Sequence, residues 1–299
     1  MPVFAILAHT EPELLARLIG RLSPFPVVIH IDAGAQATKF REAPGASYVQ
    51  ERVGVRWGGF SLVRATAALY RSALRLAGPN DHIVLLSGQC YPTRPVEEFA
   101  EYLTSAPFRQ HCKAAELTES TSAADRVLKR WYFDAIPAGP GASYIPRALL
   151  RRGMSAITPR RRMSMFGDIR PVAGSQWTAL TADCVADLLA MAKDRRWETL
   201  YRSTLAPDEM FFHTLLWNSD WRHELESTEL RPWKDNLTSD FTNFHYVDRH
   251  LKGIRSIADL SAIENSGMFF TRKVELLRSK ELLDALDAQA RCNSRLPST

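Results

Sequence analysis

Short apolar runs alternate with amphipathic stretches over the first third of the chain. Three runs have the length and composition of buried strands: Pro2–Ala8, Val27–Asp32 and His82–Ser87. Apolar residues at helical spacing lie between and after them, at Leu14–Leu22, Leu62–Ala77 and Val96–Leu103. This alternation predicts βαβ units and therefore an α/β fold with a mostly parallel sheet.

Further helices are predicted from start signals and periodicity. Thr10 is the expected N-cap of the first helix, because a proline and acidic residues follow it. Pro207 opens an apolar run that continues through Trp217, and proline suits the first turn of a helix. Two more helices are expected, at about Thr181–Ala192 and Val274–Ala290.

The middle of the chain, from about 118 to 172, is rich in Arg, Pro and Gly and is expected to be an irregular basic insertion. Between Arg147 and Arg170, Asp168 is the only acidic residue. The segment is either a solvated basic loop or a contact for an anionic acceptor or a phospholipid surface. No RNP, KH, helix-turn-helix or zinc-finger pattern accompanies the charge, which disfavours nucleic acid as a partner.

The composition is that of an ordinary globular protein. Hydrophobic residues make up 45% and charged residues 24% of the 299 positions. The four cysteines are scattered, without a CxxC pair, which does not indicate a disulfide framework or a zinc site. The N-terminus lacks a basic signal-peptide region, and no apolar run approaches the roughly 20 residues that span a bilayer. The expected location is the cytoplasm, with the basic segment available to the inner face of the membrane.

Polar residues follow the ends of the three predicted strands, at His9, His30–Asp32 and Ser87–Cys90. Ligands of open α/β sheets bind at the carboxyl ends of the strands, so these residues are expected to meet a ligand. His9 and Asp32 could equally be strand-end residues satisfied by backbone groups. No GxGxxG follows the first strand and no Walker A sequence is present, which disfavours a dinucleotide enzyme and a P-loop kinase.

Several short motifs occur in a recognisable order: Phe4–His9, Val28–Asp32, Trp57–Ala65, Leu85–Pro92, Gly174–Trp177, Pro207–Glu209 and Phe269–Lys273. The series resembles glycosyltransferase family 14, which holds core-2/I-branching β-1,6-N-acetylglucosaminyltransferases, peptide O-xylosyltransferases and many bacterial members. The likeness runs from Val3 to about Leu283. It implies a single GT-A-like, Rossmann-type domain, a nucleotide-sugar donor, inversion at the anomeric carbon and independence from divalent metal.

Asp208 and Glu209 are the candidate catalytic acids. The residues alone are equally compatible with a capped helix, since negative charge is favourable in the first helical turn. An inverting transfer needs a base that takes the proton of the acceptor hydroxyl. The resemblance implies that Glu209 is this base and that Asp208 orients the site or caps the helix.

The resemblance also implies which residues bind the donor. Lys273 and Arg255 are expected to neutralise the diphosphate in place of a metal, with Arg272 in reserve. The alternative for Lys273 is a solvated lysine at a helix start. The base and ribose are assigned to His9 and Asp32, and the segment at Gly174 and Ser175 would let the backbone approach the sugar.

For the acceptor, the segment Asp125–Trp131 resembles a basic segment of the branching enzymes that contacts acceptor sugar. The expected acceptor residues are Glu116, Arg126, Arg130, Trp177 and Tyr246. A solvated basic helix is the alternative for the segment. Trp177 could instead belong to the core, and Trp57 has a packing role or a sugar-stacking role.

The predicted function is an inverting, metal-independent transfer of a sugar from a UDP-sugar to an acceptor hydroxyl, on a glycan, a lipid-linked molecule or another acceptor. N-acetylglucosamine and xylose are the leading sugars, and no cofactor is expected. Residues 1–117 would form the nucleotide-binding half and 173–299 the catalytic and acceptor half with the C-terminal helix.

Two alternatives stay open: a metal-dependent or retaining GT-A transferase, and a non-catalytic protein that binds nucleotide sugars or glycans. Cys90 favours the second, because family members commonly carry Asp there. No convincing Asp-X-Asp pair follows the third strand, which disfavours the metal-dependent enzyme.

Overall fold

The protein is described by a computed structural model that covers residues 1–40, 45–121, 123–136, 144–233, 242–247 and 253–293. The strands are β1 (Pro2–Ala8), β2 (Val27–Ile31), β3 (Ala46–Tyr48), β4 (His82–Ser87), β5 (Cys90–Pro92), β6 (Ala115–Glu116), β7 (Val172–Ala173), β8 (Ala179–Thr181), β9 (Arg231–Pro232), β10 (His245–Val247) and β11 (Phe270–Arg272). The helices are α1 (Pro12–Leu22), α2 (Ser61–Ala73), α3 (Val96–Ser105), α4 (Ala124–Leu128), α5 (Tyr144–Ile157), α6 (Ala182–Met191), α7 (Arg195–Tyr201), α8 (Phe211–Trp217), α9 (Leu260–Asn265) and α10 (Lys280–Asn293).

The central sheet has the order β3-β2-β1-β4-β8. The first four strands are parallel, and β8 is antiparallel to β4. Alternate residues of β1 enter two separate buried layers, with Val3 and Ala5 packed beside α2 and α6, and Phe4 and Ile6 packed beside α1 and α3. A strand covered on both faces must be apolar throughout, which explains the continuous runs in the sequence. The predicted α/β fold with a mostly parallel mixed sheet is confirmed, in agreement with the GT-A-like fold that the resemblance implies.

Two small sheets stand beside the central sheet. One has the order β10-β11-β5 and pairs Arg272 with Cys90, so β11 is fixed next to the end of β4. The other has the order β7-β6-β9. Both sheets lie near the carboxyl edge of the parallel strands and supply walls for the space above it.

The start of α1 differs from the prediction. The helix begins at Pro12 after Glu11, which has a left-handed backbone conformation, and Thr10 is not the N-cap. Glu11 Oε1 instead accepts the backbone N–H of Leu276 at 3.0 Å. This long-range contact holds the residue that precedes the helix, and Thr10 lines the space beside the strand ends.

The segment after Ala206 also differs, because it is not one continuous helix. Pro207–Glu209 form a single 3-10 turn, and Met210 leaves the helical conformation with φ −133° before α8 begins. Every residue of α8 is buried. The two acids are therefore held on a separate turn in front of a buried helix. At the other end of the chain, α10 begins at Lys280 rather than near Val274, so Lys273 is not at a helix start.

The middle segment contains helices α4 and α5, whereas the sequence indicated irregular structure. Between them, Asp134 reaches the N-terminus of α2, which lies more than seventy residues earlier. Its carboxylate accepts the N–H of Phe60 at 2.8 Å and both the N–H and the hydroxyl of Ser61, at 3.2 and 2.6 Å. The carboxylate thus satisfies backbone donors that a helix start leaves without partners.

We predict that Asp134→Ala lowers the free energy of unfolding by about 1 kcal/mol, the usual effect of losing a helix cap. Asp134→Asn should lose less, because its amide oxygen still accepts from Ser61. Urea denaturation measures both changes, with Asp168→Ala as a control at an exposed aspartate. Equal stability of the Asp134 and Asp168 variants would contradict the capping role.

Candidate active site

A cleft of about 730 Å³ lies at the carboxyl edge of the parallel strands. Its floor comes from residues at the ends of β1, β2 and β4, and its walls come from the segment 174–177, the 207–209 turn and the β10-β11 sheet. Of the predicted site residues, the structure brings eight into this cleft: His9, Asp32, Gly174, Ser175, Trp177, Asp208, Glu209 and Lys273. The strand ends named in the sequence analysis therefore share one cleft, and ligand binding there stays a prediction.

Asp32 is held rigidly at the end of β2. Its Oδ1 accepts the N–H of Gly34 at 2.6 Å, and its Oδ2 accepts the N–H of Val55 at 2.7 Å. Next to it, His30 Nε2 accepts the N–H of Val53 at 2.9 Å, and burial lowers the pKa of His30. Each carboxylate oxygen has a second lone pair, so Asp32 can still accept a ligand hydroxyl at a fixed position.

Gly174 is required by a close approach of two backbones. A Cβ at this position would lie 2.1 Å from the carbonyl oxygen of Lys113, a distance that no side chain tolerates. The N–H of Gly174 donates to the carbonyl of Glu209 at 2.9 Å. The next carbonyl, that of Ser175, lies 3.0 Å from His213 Nε2. The segment 174–177 and the turn Pro207–Glu209, here called the acidic turn, are thereby fixed against each other.

Glu209 is bound by a cation from α4. Arg126 Nη2 donates to Glu209 Oε2 at 2.6 Å and to the carbonyl of Ala206 at 3.3 Å. The guanidinium also lies 5.7 Å from the centre of the Trp233 ring. The Arg126 side chain is 16% exposed and that of Glu209 is 40% exposed. Glu209 therefore faces the cleft, and the hydrogen bond from the less exposed Arg126 orients its carboxylate.

Asp208 has a drier environment than Glu209. Its Oδ1 is buried and has no hydrogen-bond partner in the described part of the chain, and the same is true of Gln176 Nε2 and His213 Nδ1. All three residues line a second cavity of about 10 Å³, which has room for roughly one water molecule. Burial, followed by the charge of Glu209, raises the pKa of Asp208 to about 7. Asp208 is therefore partly protonated near neutral pH.

Two cations line the same cleft as the acids. Arg272 lines the cleft with its guanidinium 4.4 Å from the centre of the Trp177 ring, and it donates to Ser87 Oγ. Lys273 follows it, exposed to the cleft, and partial burial together with the charge of Arg272 lowers its pKa. The reserve candidate Arg272 is thus as well placed for a diphosphate as Lys273.

Cys90 lies behind this cation pair and is fully buried. Its Sγ is 3.3 Å from His245 Nε2 and 3.5 Å from Ser87 Oγ, and Arg272 Nη1 is 4.0 Å away. The thiol supports residues of the cleft wall without lining the cleft itself. A change at position 90 therefore acts on the cleft through Ser87, His245 and Arg272.

Five predicted residues do not line the cleft among the described residues: Arg255, Glu116, Arg126, Arg130 and Tyr246. Arg255 is buried and forms an ion pair with Asp259 at 2.9 Å, while its N–H donates to the carbonyl of Lys273 at 2.8 Å. It fixes the backbone of Lys273 instead of facing the cleft. Glu116 pairs in β6 and Arg130 is exposed on the surface.

Tyr246 packs against the apolar cluster around α10. Sequence reasoning did not assign Trp233 to the site, although it lines the cleft and contacts Arg126. No periodicity or motif marks that tryptophan, because its position depends on the pairing of β9 with β6.

We predict that Asp208→Asn changes the pH dependence of stability. An aspartate in the unfolded chain has a pKa of about 3.9, so between about pH 4 and 7 the folded protein holds a proton that the unfolded chain releases. This contribution to stability is present at low pH and is lost as the pH rises. Asparagine has no such proton, so the variant should gain stability relative to the wild type between about pH 5 and pH 8. Urea denaturation at both pH values measures the gain, and parallel profiles would contradict it.

Residues 4–248 match the family described as core-2/I-branching enzyme. Similar proteins include xylosyltransferase 2 of Homo sapiens, 28% identical over 247 residues, and xylosyltransferase 2 of Rattus norvegicus, 26% identical over 245 residues. Each alignment covers 77% of this chain and 26% of the relative.

The xylosyltransferase oxt of Drosophila pseudoobscura pseudoobscura is 23% identical over 255 residues, with 82% of this chain and 27% of the relative covered. The chain therefore spans about a quarter of the length of these relatives. The family match extends from β1 through β10 and so includes both acids and most of the cleft. On this match the chain belongs to the core-2/I-branching enzyme family of glycosyltransferases.

Proposed function

We propose that this protein transfers a sugar from a UDP-sugar to an acceptor hydroxyl, with inversion at the anomeric carbon and without a divalent metal. One observation carries the proposal: Glu209, held by Arg126, faces the same cleft as the cations Arg272 and Lys273. A base and a positively charged region for the leaving group are the two requirements of a direct displacement with a diphosphate leaving group. Family membership supports the transfer of a sugar.

Glu209 is the proposed base. Its carboxylate is exposed to the cleft, whereas Asp208 has an oxygen turned into the buried layer. The bond from Arg126 engages one oxygen of Glu209 and leaves the other for the acceptor hydroxyl. As the hydroxyl oxygen attacks the anomeric carbon, its proton passes to Glu209 and the bond to the diphosphate breaks. Asp208, with its raised pKa, keeps negative charge from accumulating beside the base.

Arg272 and Lys273 are the proposed substitute for a metal. The guanidinium of Arg272 is oriented before the reaction by Trp177 and Ser87, and the backbone of Lys273 is held by its hydrogen bond from Arg255. Charges that are already oriented stabilise a developing anion without reorganisation. Asp32 and His9, which follow β2 and β1 at the floor of the cleft, would receive the ribose and the base.

The proposed donor sugars are N-acetylglucosamine and xylose. The family match supports the first and the xylosyltransferase relatives support the second. The acceptor would enter past Trp57 and Trp233, two aromatic residues that line the cleft and present faces on which a sugar ring can stack. Arg126 lies between Trp233 and Glu209, so it positions the base on the acceptor side.

We predict that Glu209→Gln lowers turnover roughly 100-fold or more, the scale of general-base catalysis. UDP binding should persist, because glutamine keeps the shape of the side chain and can still accept from Arg126. UDP release from UDP-xylose or UDP-N-acetylglucosamine measures turnover, and calorimetry measures binding.

Glu198→Gln is the matched control, because Glu198 is an exposed glutamate that pairs with Arg64 outside the cleft. Near-normal turnover of the Glu209 variant would reject Glu209 as the base.

We predict that Lys273→Ala weakens UDP binding about 10-fold to 100-fold, the equivalent of one charge-assisted hydrogen bond. Lys280→Ala should leave the affinity unchanged, because Lys280 is a surface lysine that pairs with Asp284. The affinity should also be equal in excess EDTA and in millimolar magnesium or manganese.

Unchanged affinity of the Lys273 variant would reject Lys273 as the diphosphate ligand. Binding or turnover that requires added metal would favour a metal-dependent transferase.

A further inference from the structure

Helix α5 presents large apolar side chains to solvent. Ile145, Leu149, Leu150 and Ile157, here called the outer stripe, are 67%, 64%, 55% and 84% exposed. At 100° per residue they occupy an arc of about 140° on the helix. No other α-helix of the described chain carries an exposed large hydrophobic residue. An amphipathic surface helix normally turns its apolar stripe to the protein core, whereas the outer stripe of α5 faces solvent.

The opposite side of α5 is attached to the domain, which fixes this orientation. Arg151 Nη1 donates to the carbonyl of Ile136 at 3.0 Å, and its guanidinium lies 4.9 Å from the centre of the Phe133 ring. Directly after the helix, the hydroxyl of Thr158 is 2.8 Å from that of Tyr132. The stripe therefore cannot be buried by a simple rotation of the helix without losing these contacts.

Arginines border the outer stripe on both sides. At the same angular spacing, Arg152 precedes the arc by about 20° and Arg147 follows it by about 60°. Both side chains are exposed, and the sequence has no acidic residue between Asp134 and Asp168. An apolar stripe flanked by cations is the pattern of a helix that lies in a membrane interface, with its arginines at the level of the phosphates.

We propose that α5 docks on an anionic phospholipid surface, with the outer stripe in the boundary between headgroups and acyl chains. The positive charge beside the outer stripe favours an anionic lipid surface over a second copy of the chain as the binding partner. Two copies of α5 would bring their arginines together and repel, whereas anionic lipids attract them at about 1 kcal/mol for each arginine. In the described residues no helix is long and apolar enough to cross a bilayer.

The docked helix stands close to the mouth of the cleft. Arg151 of α5 lies over Phe133, and Phe133 packs edge-on against Trp57 with 5.6 Å between the ring centres. Trp57 lines the cleft and is 68% exposed. Docking through α5 would therefore hold this side of the cleft near the lipid headgroups. The docking itself does not depend on the proposed transfer reaction.

Flotation with lipid vesicles tests the proposal on the whole chain. The wild type should bind vesicles of phosphatidylcholine with phosphatidylglycerol and should bind phosphatidylcholine alone much more weakly. The double variant Leu149→Ser/Ile157→Ser should bind the anionic vesicles at least ten-fold more weakly, because it loses two side chains that enter the interface. In the double variant Arg147→Glu/Arg152→Glu, the affinity for the anionic vesicles should fall at least five-fold for each arginine replaced.

Matched control variants distinguish docking through α5 from non-specific binding to vesicles. Leu277→Ser removes a leucine that is as exposed as Ile157, and Arg278→Glu reverses an exposed arginine outside α5. Both controls should bind like the wild type, and circular dichroism should show unchanged helix content in all variants. Equal vesicle binding by the α5 variants, or no binding by the wild type, would overturn the proposal. A concentration-dependent dimer in light scattering that the Leu149→Ser/Ile157→Ser variant abolishes, without vesicle binding, would assign the stripe to a second copy instead.

Discussion

The burial of β1, β2 and β4 on both faces is the constraint on which the rest of the structure depends. A strand enclosed by helices on both sides has no water for polar side chains, so polar residues are confined to the strand ends. The parallel direction places these ends at one edge of the sheet. His9, Asp32 and Ser87 therefore converge although they are far apart in the sequence. The cleft follows from the same burial that stabilises the fold.

The acidic turn is held in place against a conformational cost. Ala206 has φ 50° and ψ 59°, a left-handed conformation that costs a residue with a Cβ about 1–2 kcal/mol. The ion pair of Arg126 with the partly exposed Glu209 contributes about 1 kcal/mol at most and does not offset this alone. Buried Pro207, buried Met210 and the fully buried α8 supply the remainder through packing. The position of Glu209 therefore depends on the core behind it.

The two neighbouring carboxylates have different roles because their surroundings differ. Asp208 loses hydration on its buried side, which raises its pKa to about 7, whereas Glu209 faces the cleft and has a cationic partner. Two negative charges this close would repel each other and the leaving diphosphate. Retention of one proton limits this repulsion. The cations Arg272 and Lys273 then act on a site with less negative charge to neutralise.

The sequence alone determined the strands, most of the helices and the sheet type, because hydrophobic periodicity reports local burial directly. It also placed the cleft at the strand ends, and the motif series identified the family. Only the tertiary structure decided features that depend on distant partners. Glu11 bonds to Leu276, Asp134 caps α2, and Arg255 turns to Asp259 instead of the cleft. The basic segment was expected to be irregular, but contacts of Arg151 and Thr158 orient a helix there whose apolar side faces outward. Periodicity reports that a helix is amphipathic, but which side meets the protein is decided by the contacts that hold it.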